Sequence, residues 1–420
     1  LWARLSKVSD LAATLSSPKH DIAIIGAGPG GSSAAYFLTK QGYNVLLLDK
    51  AEFPRHKTCG DGLTPRALDI LSEMGLLEDV HREGFRIDGI HLFAPRQQHL
   101  HMPIPQKENL PNYLVTIPRF KLDQLIFERA IQAGAIFKGK TNIHNIEKTA
   151  RGILISGKHN QQNIEIEARM GIIATGANLK LLKNTRIIKR QPTMIMAARQ
   201  YLDGVSGLSR NVAAYFDGIP LPGYGWVFPI SDTMANIGVG YWPHGIARHW
   251  KPKNANQVFN DFIAQETVRE MLKNAIALEP VKGFPIRMDF PTAATFGQGC
   301  LLVGEAAGLV NPLTGEGIDF ALESGRLAAE HIQGMFRRGD FSSDDFVAYN
   351  ALLRRHFQRL FVMLARIRKL YINPLLISRF IESAQNIPDL QLMLANIILG
   401  HEDAAAGVAP KTIRQVLLGK

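Results

Sequence analysis

The sequence is poor in the features that mark secreted, metal-bound or membrane-spanning chains. It has two cysteines, Cys59 and Cys300, in 420 residues. Two cannot build a disulfide framework, and neither belongs to a C-x-x-C or a Cys/His cluster with zinc spacing. No metal site is expected, and a reducing compartment is the default. No uninterrupted apolar run reaches the ~18 residues of a membrane span. The N-terminal stretch lacks the long apolar core of a signal peptide. Leu1, Leu5, Val8, Leu11 and Leu15 follow helical spacing, which reads as a surface helix or as a loose extension before the fold begins at Asp21. Composition is otherwise that of a globular protein, 46% apolar and 20% charged. The length allows two or three domains or one large composite fold.

Acidic residues are missing altogether from Phe346 to Ile381. Arg354, Arg355, Arg359, Arg366, Arg368, Lys369 and Arg379 are spread there among apolar residues, which predicts basic amphipathic helices broken near Pro374. The net charge of +11 suits nucleic acid, an anionic membrane surface or a phosphorylated substrate. No nucleic-acid motif accompanies it. Two readings of the basic segment remain: a membrane-surface face, or helices packed on the core with a solvated basic side.

What is present begins with "DIAIIGAGPGGSSAAYFLTKQGYNVLLLDK", Asp21 to Lys50. Ile22–Ile25 reads as a strand, Ser32–Lys40 as a helix and Tyr43–Leu48 as a second strand. Gly26, Gly28 and Gly31 fit G-x-G-x-x-G, with Pro29 and Gly30 between the last two. This pattern allows a tight turn, backbone approach to a pyrophosphate, and close packing of helix on strand. Asp49 ends the second strand where an acid meets an adenosine ribose. Such an acid would repel a 2′-phosphate, so the cofactor is FAD or NAD. No second G-x-G-x-x-G follows, so no separate NAD(P)H domain is expected.

Near the other end, Cys300–Val303 reads as a buried strand, with Cys300 structural. A small-residue turn follows at Gly304–Gly308, carrying Glu305, and then a loop with Pro312, Gly315 and Gly317. A long helix starts at Ile318, and its free N–H groups suit an anion or an electron-rich ring edge. Between these ends the glycine motifs stop. Alternating segments such as "RIDGIHLFAP", "MIMAARQYL" and "ANIGVGYW" predict an antiparallel sheet. In "GIPLPGYGWVFPISD", Tyr224, Trp226 and Phe228 occupy alternate positions, so on a strand they share a face, and Pro229 ends it.

Four segments carry a family resemblance. They are the fingerprint Gly26–Gly31, "FPRHKTCGDGLTPRA" (Phe53–Ala67), "LPGYGWVFP" (Leu221–Pro229) and "GEAAGLVNPLTGEGIDFAL" (Gly304–Leu322). With them the chain resembles the geranylgeranyl reductase family of FAD-dependent oxidoreductases, which has the p-hydroxybenzoate hydroxylase-like fold. The bacterial menaquinone side-chain reductases are the most similar subgroup. The match spans roughly residues 20 to 335, a domain-scale length. Two departures stand out: Glu305 replaces the usual aspartate, and Leu221 replaces a proline.

The resemblance implies an α/β composite. A Rossmann-type FAD/NAD(P)-binding domain would comprise residues 21–85, 116–184 and 289–335. An inserted antiparallel-sheet substrate domain would comprise 86–115 and 185–288. Residues 1–20 form an N-terminal extension, and 336–420 a helical C-terminal region. FAD would be held by Gly26, Gly28, Pro29, Gly30, Gly31, Asp49, Lys50, Arg55, Cys59, Gly60, Arg119, Thr175, Gly176, Gly304, Glu305, Gly315, Gly317 and Ile318. Substrate would meet Gly62, Leu63, Tyr224, Trp226, Phe228 and Pro312. Catalysis falls to Cys59, Tyr224 and Trp226, with Arg55, His56 and Lys57 placed to lower the thiol's pKa if they point at it. Cys59 either donates a proton or only shapes the site.

The implied activity is reduction of isolated C=C bonds in a long isoprenoid or a prenylquinone. The electron donor would be external: NAD(P)H, ferredoxin or a quinol. An FAD-dependent monooxygenase or halogenase on the same fold is the alternative. Thr175-Gly176, where hydroxylases carry Asp-Gly, and Tyr224 in the aromatic motif count against it. The expected location is cytoplasmic and peripheral on the inner membrane face, with no nucleic-acid partner. The oligomeric state stays open.

Overall fold

A computed structural model describes residues 19–95, 98–243, 254–339, 341–370 and 373–401. The N-terminal helical pattern, Leu1 to Leu15, lies outside the described residues. The first layer is a sheet whose strands run in the spatial order Phe296–Gly297, Cys300–Leu302, Gln162–Ile173, His20–Ile25, Val45–Leu48, Ile136–Lys138. Its centre is parallel, with Ile22 opposite both Val45 and Met170. Strands covered on both faces must be apolar throughout, and Ile22–Ile25 and Val45–Leu48 are buried at every residue. Helices Pro29–Lys40 and Ile318–Arg338 pack on each other, and Ser33 Oγ donates to the Leu322 carbonyl at 2.8 Å. Strands Thr141–Thr149 and Gly152–His159 extend this sheet as an antiparallel meander.

The second layer is a sheet of eight strands. Ile276–Ala277, Met194–Asp203, Ala235–Tyr241, Tyr224–Pro229, Asn211–Tyr215, Gly89–Phe93 and His99–Pro103 lie in that order, and Lys282–Arg287 also pairs with Met194–Asp203. One correction to the expected antiparallel sheet is needed: Asn211–Tyr215 and Gly89–Phe93 run parallel. The chain returns to the first domain between these two strands, so no hairpin sets their direction. "RIDGIHLFAP" likewise divides into two strands in two sheets. Phe85–Ile87 joins Gly62–Leu63 and Leu114–Thr116 in a small three-stranded sheet, and Gly89–Phe93 joins the large one. The proposed domain limits after residues 85 and 115 therefore fall inside paired strands.

The C-terminal helices behave differently from one another. Ser343–Leu370 buries Phe357, Leu360, Phe361 and Leu364 against the core of the first sheet, where Phe290 and Phe320 meet them edge-on. Each such side chain removed from water contributes about 1.5–3 kcal/mol. Two of its cations are internal anchors. Arg354 donates to the Phe290 and Ala293 carbonyls, and Arg368 to the Pro312 carbonyl. Pro374–Asn386, begun by the expected break, and Pro388–Ile398 pack instead against the second sheet.

Candidate functional site

One continuous cavity of about 630 Å³ runs between the two large sheets and ends under the last two helices. At its first end lies the turn Gly26–Gly28, which delivers the chain into helix Pro29–Lys40 with Gly28 as N-cap. Asp49 locks this turn. Its Oδ2 accepts the Ala27 N–H and its Oδ1 the Ala51 N–H, both at 2.8 Å. Arg55 reaches over the turn and pairs with Asp123 at 3.1 Å. Asp123 also takes two hydrogen bonds from Arg119, at 2.6 and 2.9 Å. One buried carboxylate thus orders two guanidinium groups, which is the fork geometry arginine favours.

The middle of the cavity is built by the loop Phe53–Gly62, by Thr175-Gly176, and by the turns at Gly304 and Gly315–Ile318. Glu305 Oε1 accepts the Arg287 N–H at 2.9 Å. Burial pushes the Glu305 carboxyl up, opposed by Lys57. Burial lowers Lys57 to about 8, with Glu305 opposing, and its ammonium lies 3.3 Å from the centre of the Phe284 ring.

The expected basic tuning of Cys59 is not what the structure shows. Arg55 is turned to Asp123, Lys57 to Phe284, and His56 lies against Phe120. Burial raises the thiol's pKa and outweighs the lowering effect of Arg119. Burial thus favours the neutral form of the Cys59 thiol, which lines the cavity.

Beyond Cys59 stands the aromatic wall. Tyr224, Trp226 and Phe228 share one face of their strand, with neighbouring ring centres 6.0 and 6.1 Å apart. A polar network fixes this wall to the cysteine loop. Trp226 Nε1 donates to Asn236 Oδ1 at 3.0 Å, and Asn236 Nδ2 donates to the Cys59 carbonyl and to Asp61 Oδ2, both at 2.7 Å. Tyr201 donates to the same Asp61 oxygen at 2.5 Å. Burial pushes Asp61 up to about 6, although Tyr201 and Asn236 favour its anion. The far end is apolar. Ile90, Leu92, Val212 and Phe216 face Ile377, Ile381 and Leu394 of the last two helices.

These residues fit FAD. The glycine turn leaves a cradle at the helix start, where N–H groups favour a pyrophosphate. The Thr175 hydroxyl oxygen lines the cavity, buried and without a hydrogen-bond partner. The glycine cradle at the helix start and the cavity between two sheets are those of a flavoprotein of the p-hydroxybenzoate hydroxylase-like fold. A family model described as "FAD binding domain" matches residues 19–337. The menaquinone reductase of Mycobacterium tuberculosis is 32% identical over 324 residues, 74% of this chain and 76% of that protein. The digeranylgeranylglycerophospholipid reductase of Methanocaldococcus jannaschii is 28% identical, over 81% of this chain and 84% of its own length. Among solved structures, a geranylgeranyl bacteriochlorophyll reductase-like protein from Thermoplasma acidophilum superposes with a TM-score of 0.80 at 21% identity, over 96% of this chain and 100% of that one. The chain belongs to the geranylgeranyl reductase family of FAD-dependent oxidoreductases.

The cavity collects nearly every residue singled out from the sequence. Two stand apart from its lining. Gly31 packs under the carbonyl of Gly26, in the role that its place in the fingerprint predicts. Pro312, expected at the substrate, is buried outside the cavity lining, and its carbonyl accepts from Arg368 at 3.1 Å. The loop around it turns Leu313 and Thr314 to the cavity instead. Several contributors were missed: Asp61, Asp123, Asn236, Glu316 and the apolar residues of the last two helices. Asp123 had a signal, its i, i+4 spacing from Arg119.

Proposed function

We propose that the protein saturates isolated C=C bonds in a long isoprenoid chain, either a menaquinone side chain or a geranylgeranyl-type lipid, with FAD as its redox cofactor. The continuity of the cavity carries this reading: one space joins the glycine cradle to an apolar tunnel, with the aromatic wall and Cys59 at the junction. Reduced FAD, when bound, supplies a hydride. An unactivated alkene accepts hydride only as it gains a proton, and positive charge then builds on the more substituted carbon. The faces of Tyr224 and Trp226 stabilise that charge, and the apolar lining of the tunnel strengthens the effect. The Tyr224 hydroxyl is committed to the Thr314 carbonyl, and the Cys59 thiol is the acid assigned to this reaction. NAD(P)H, ferredoxin or a quinol recharges the cofactor from outside.

The two relatives' names, menaquinone reductase and digeranylgeranylglycerophospholipid reductase, support this substrate class. The test is direct. Lipids from a host expressing the protein are expected to contain quinone or prenyl species heavier by one H2 per reduced bond. An unchanged lipid profile, with a fully flavin-loaded protein and a reductant supplied, would refute the reading.

Cys59→Ser is expected to keep its flavin and lose about a hundredfold in turnover, in the range of a lost proton donor. Unchanged turnover and product pattern would leave Cys59 a wall residue only.

Peripheral attachment to the inner membrane face is part of the same proposal. No helix among the described residues is long and apolar enough to cross a membrane. Arg355, Arg359, Arg366 and Lys369 are exposed and recur at the spacing of one helix face. Leu375 and Leu392 are exposed on the two helices whose inner faces close the tunnel. Basic groups suit anionic headgroups, and the exposed leucines suit the acyl boundary.

A further inference from the structure

Trp226 lies on a strand flanked by Ala235–Tyr241 on one side and by Asn211–Tyr215 on the other. Its indole leans over the first of these. A Cβ at Gly238, the residue directly opposite on Ala235–Tyr241, would overlap Cζ2 and Cε2 of the ring, and one at Gly240 would lie 3.9 Å from Cζ3. Nε1 is held on the same side, donating to Asn236 Oδ1 at 3.0 Å. The two glycines give the ring a bed, the close approach that glycine permits within a strand.

The other side is left low. The residue opposite Trp226 on Asn211–Tyr215 is Ala214, and Ala214 in turn lies opposite Leu92. Directly opposed residues point to one face of a sheet, and Trp226, Ala214 and Leu92 all line the cavity. Along its own strand Ala214 stands between Val212 and Phe216, which line the cavity too. The Phe216 ring is 6.2 Å from that of Tyr224. A single methyl group is thus ringed by Trp226, Leu92, Val212 and Phe216, and it forms a notch in the floor.

The notch joins the two ends of the site. On one side the Cys59 loop abuts the aromatic wall, since a Cβ at Gly60 would lie 3.2 Å from Phe228 Cε2 and 3.8 Å from Trp226 Nε1. On the other side Leu92 belongs to one packed cluster with Ile377, Ile381 and Leu394. Two strand spacings, about 10 Å, separate Trp226 from Leu92, the length of about two extended isoprene units.

We propose that the isoprenoid chain crosses the notch at Ala214 beyond its reacting bond, so that the size of this one side chain decides how long a chain the site accepts. This rests on the reductase reading above. A chain whose reacting bond lies at the aromatic wall must pass over Ala214 to reach the apolar end. A branched side chain there fills the crossing, whereas a short prenyl group ends before it.

Ala214→Leu tests this. Its side chain enters the cavity, so the variant is expected to keep its flavin and the wild-type melting temperature. With dithionite-reduced enzyme, kcat/KM for a long-chain menaquinone should fall roughly ten- to a hundredfold. A geranyl-tailed menaquinone should be reduced at close to the wild-type rate. A long-chain quinone with a saturated tail, followed by quenching of tryptophan fluorescence, should lose affinity by the same factor, and this measurement needs no reduction. Ala214→Val should fall between wild type and Ala214→Leu, and it carries the same comparison if the leucine variant does not fold. Equal losses on both tails, or wild-type reduction and binding of the long chain, overturn the proposal. A wild type that reduces no prenyl tail of either length sinks the reductase reading, and the binding measurement still decides the notch.

Discussion

A Gly28→Val variant is expected to fold normally and to purify without flavin. Gly28 has φ −72° and ψ −175°, an extended conformation open to any residue. The one atom within 4 Å of an added Cβ is Arg55 Nη2 at 3.2 Å, the far end of a flexible side chain. The fold therefore has room for a side chain, and the cofactor's pyrophosphate does not. A drop in flavin affinity of at least about a hundredfold, roughly 2.8 kcal/mol, is expected. The ratio of flavin to protein absorbance reads the first effect, and thermal melting by circular dichroism reads the second. Gly31→Val supplies the contrast. A Cβ there would overlap the carbonyl oxygen of Gly26, so it should unfold the turn itself and lower the melting temperature of the apoprotein. If Gly28→Val retains full flavin, the cradle is not where the pyrophosphate binds.

The difference between these glycines was legible in the fingerprint, because each position answers a different steric demand. The same holds for the Tyr224–Trp226–Phe228 stripe, whose period of two needs only a strand to become a wall, whereas the two backbone N–H groups that Asp49 accepts had no signal. Other parts had no local signal. Asp61 stands at a positive φ of 68° and takes its partners from Tyr201 and Asn236, more than a hundred residues away. The parallel pairing of Asn211–Tyr215 with Gly89–Phe93 joins two segments between which the chain passes through residues 116–184 of the first domain. Ile377 and Leu394 have the pattern of any buried helix face, and periodicity cannot tell a face on a solid core from one that roofs a tunnel. The basic helix Ser343–Leu370 was half legible. Its exposed stripe follows from the spacing, whereas the anchoring of Arg354 and Arg368 to backbone carbonyls depends on what the helix packs against.

Asp123 carries the second large effect. It is 1% exposed and faces two guanidinium groups, Arg119 and Arg55, at 2.6 to 3.1 Å. The pairing overcomes the burial that would otherwise disfavour the Arg119 cation. Asp123→Ala leaves that buried cation uncompensated, and breaking a buried pair from one side costs about 3–5 kcal/mol. Denaturant unfolding of the apoprotein should show this loss, with Asp123→Asn between it and the wild type. The sign at the cysteine follows from the same charge. Arg119 already pulls the Cys59 thiol down against burial, and without Asp123 its field there is no longer offset. The thiol should then ionise at lower pH, so alkylation of Cys59 in the Asp123→Asn protein should rise at lower pH than in the wild type. A proton donor turned partly to thiolate would slow reduction most at alkaline pH, even where flavin content is unchanged. If Asp123→Ala unfolds like the wild type and Asp123→Asn leaves thiol reactivity unmoved, the carboxylate is not what holds the two arginines and the neutral thiol in place.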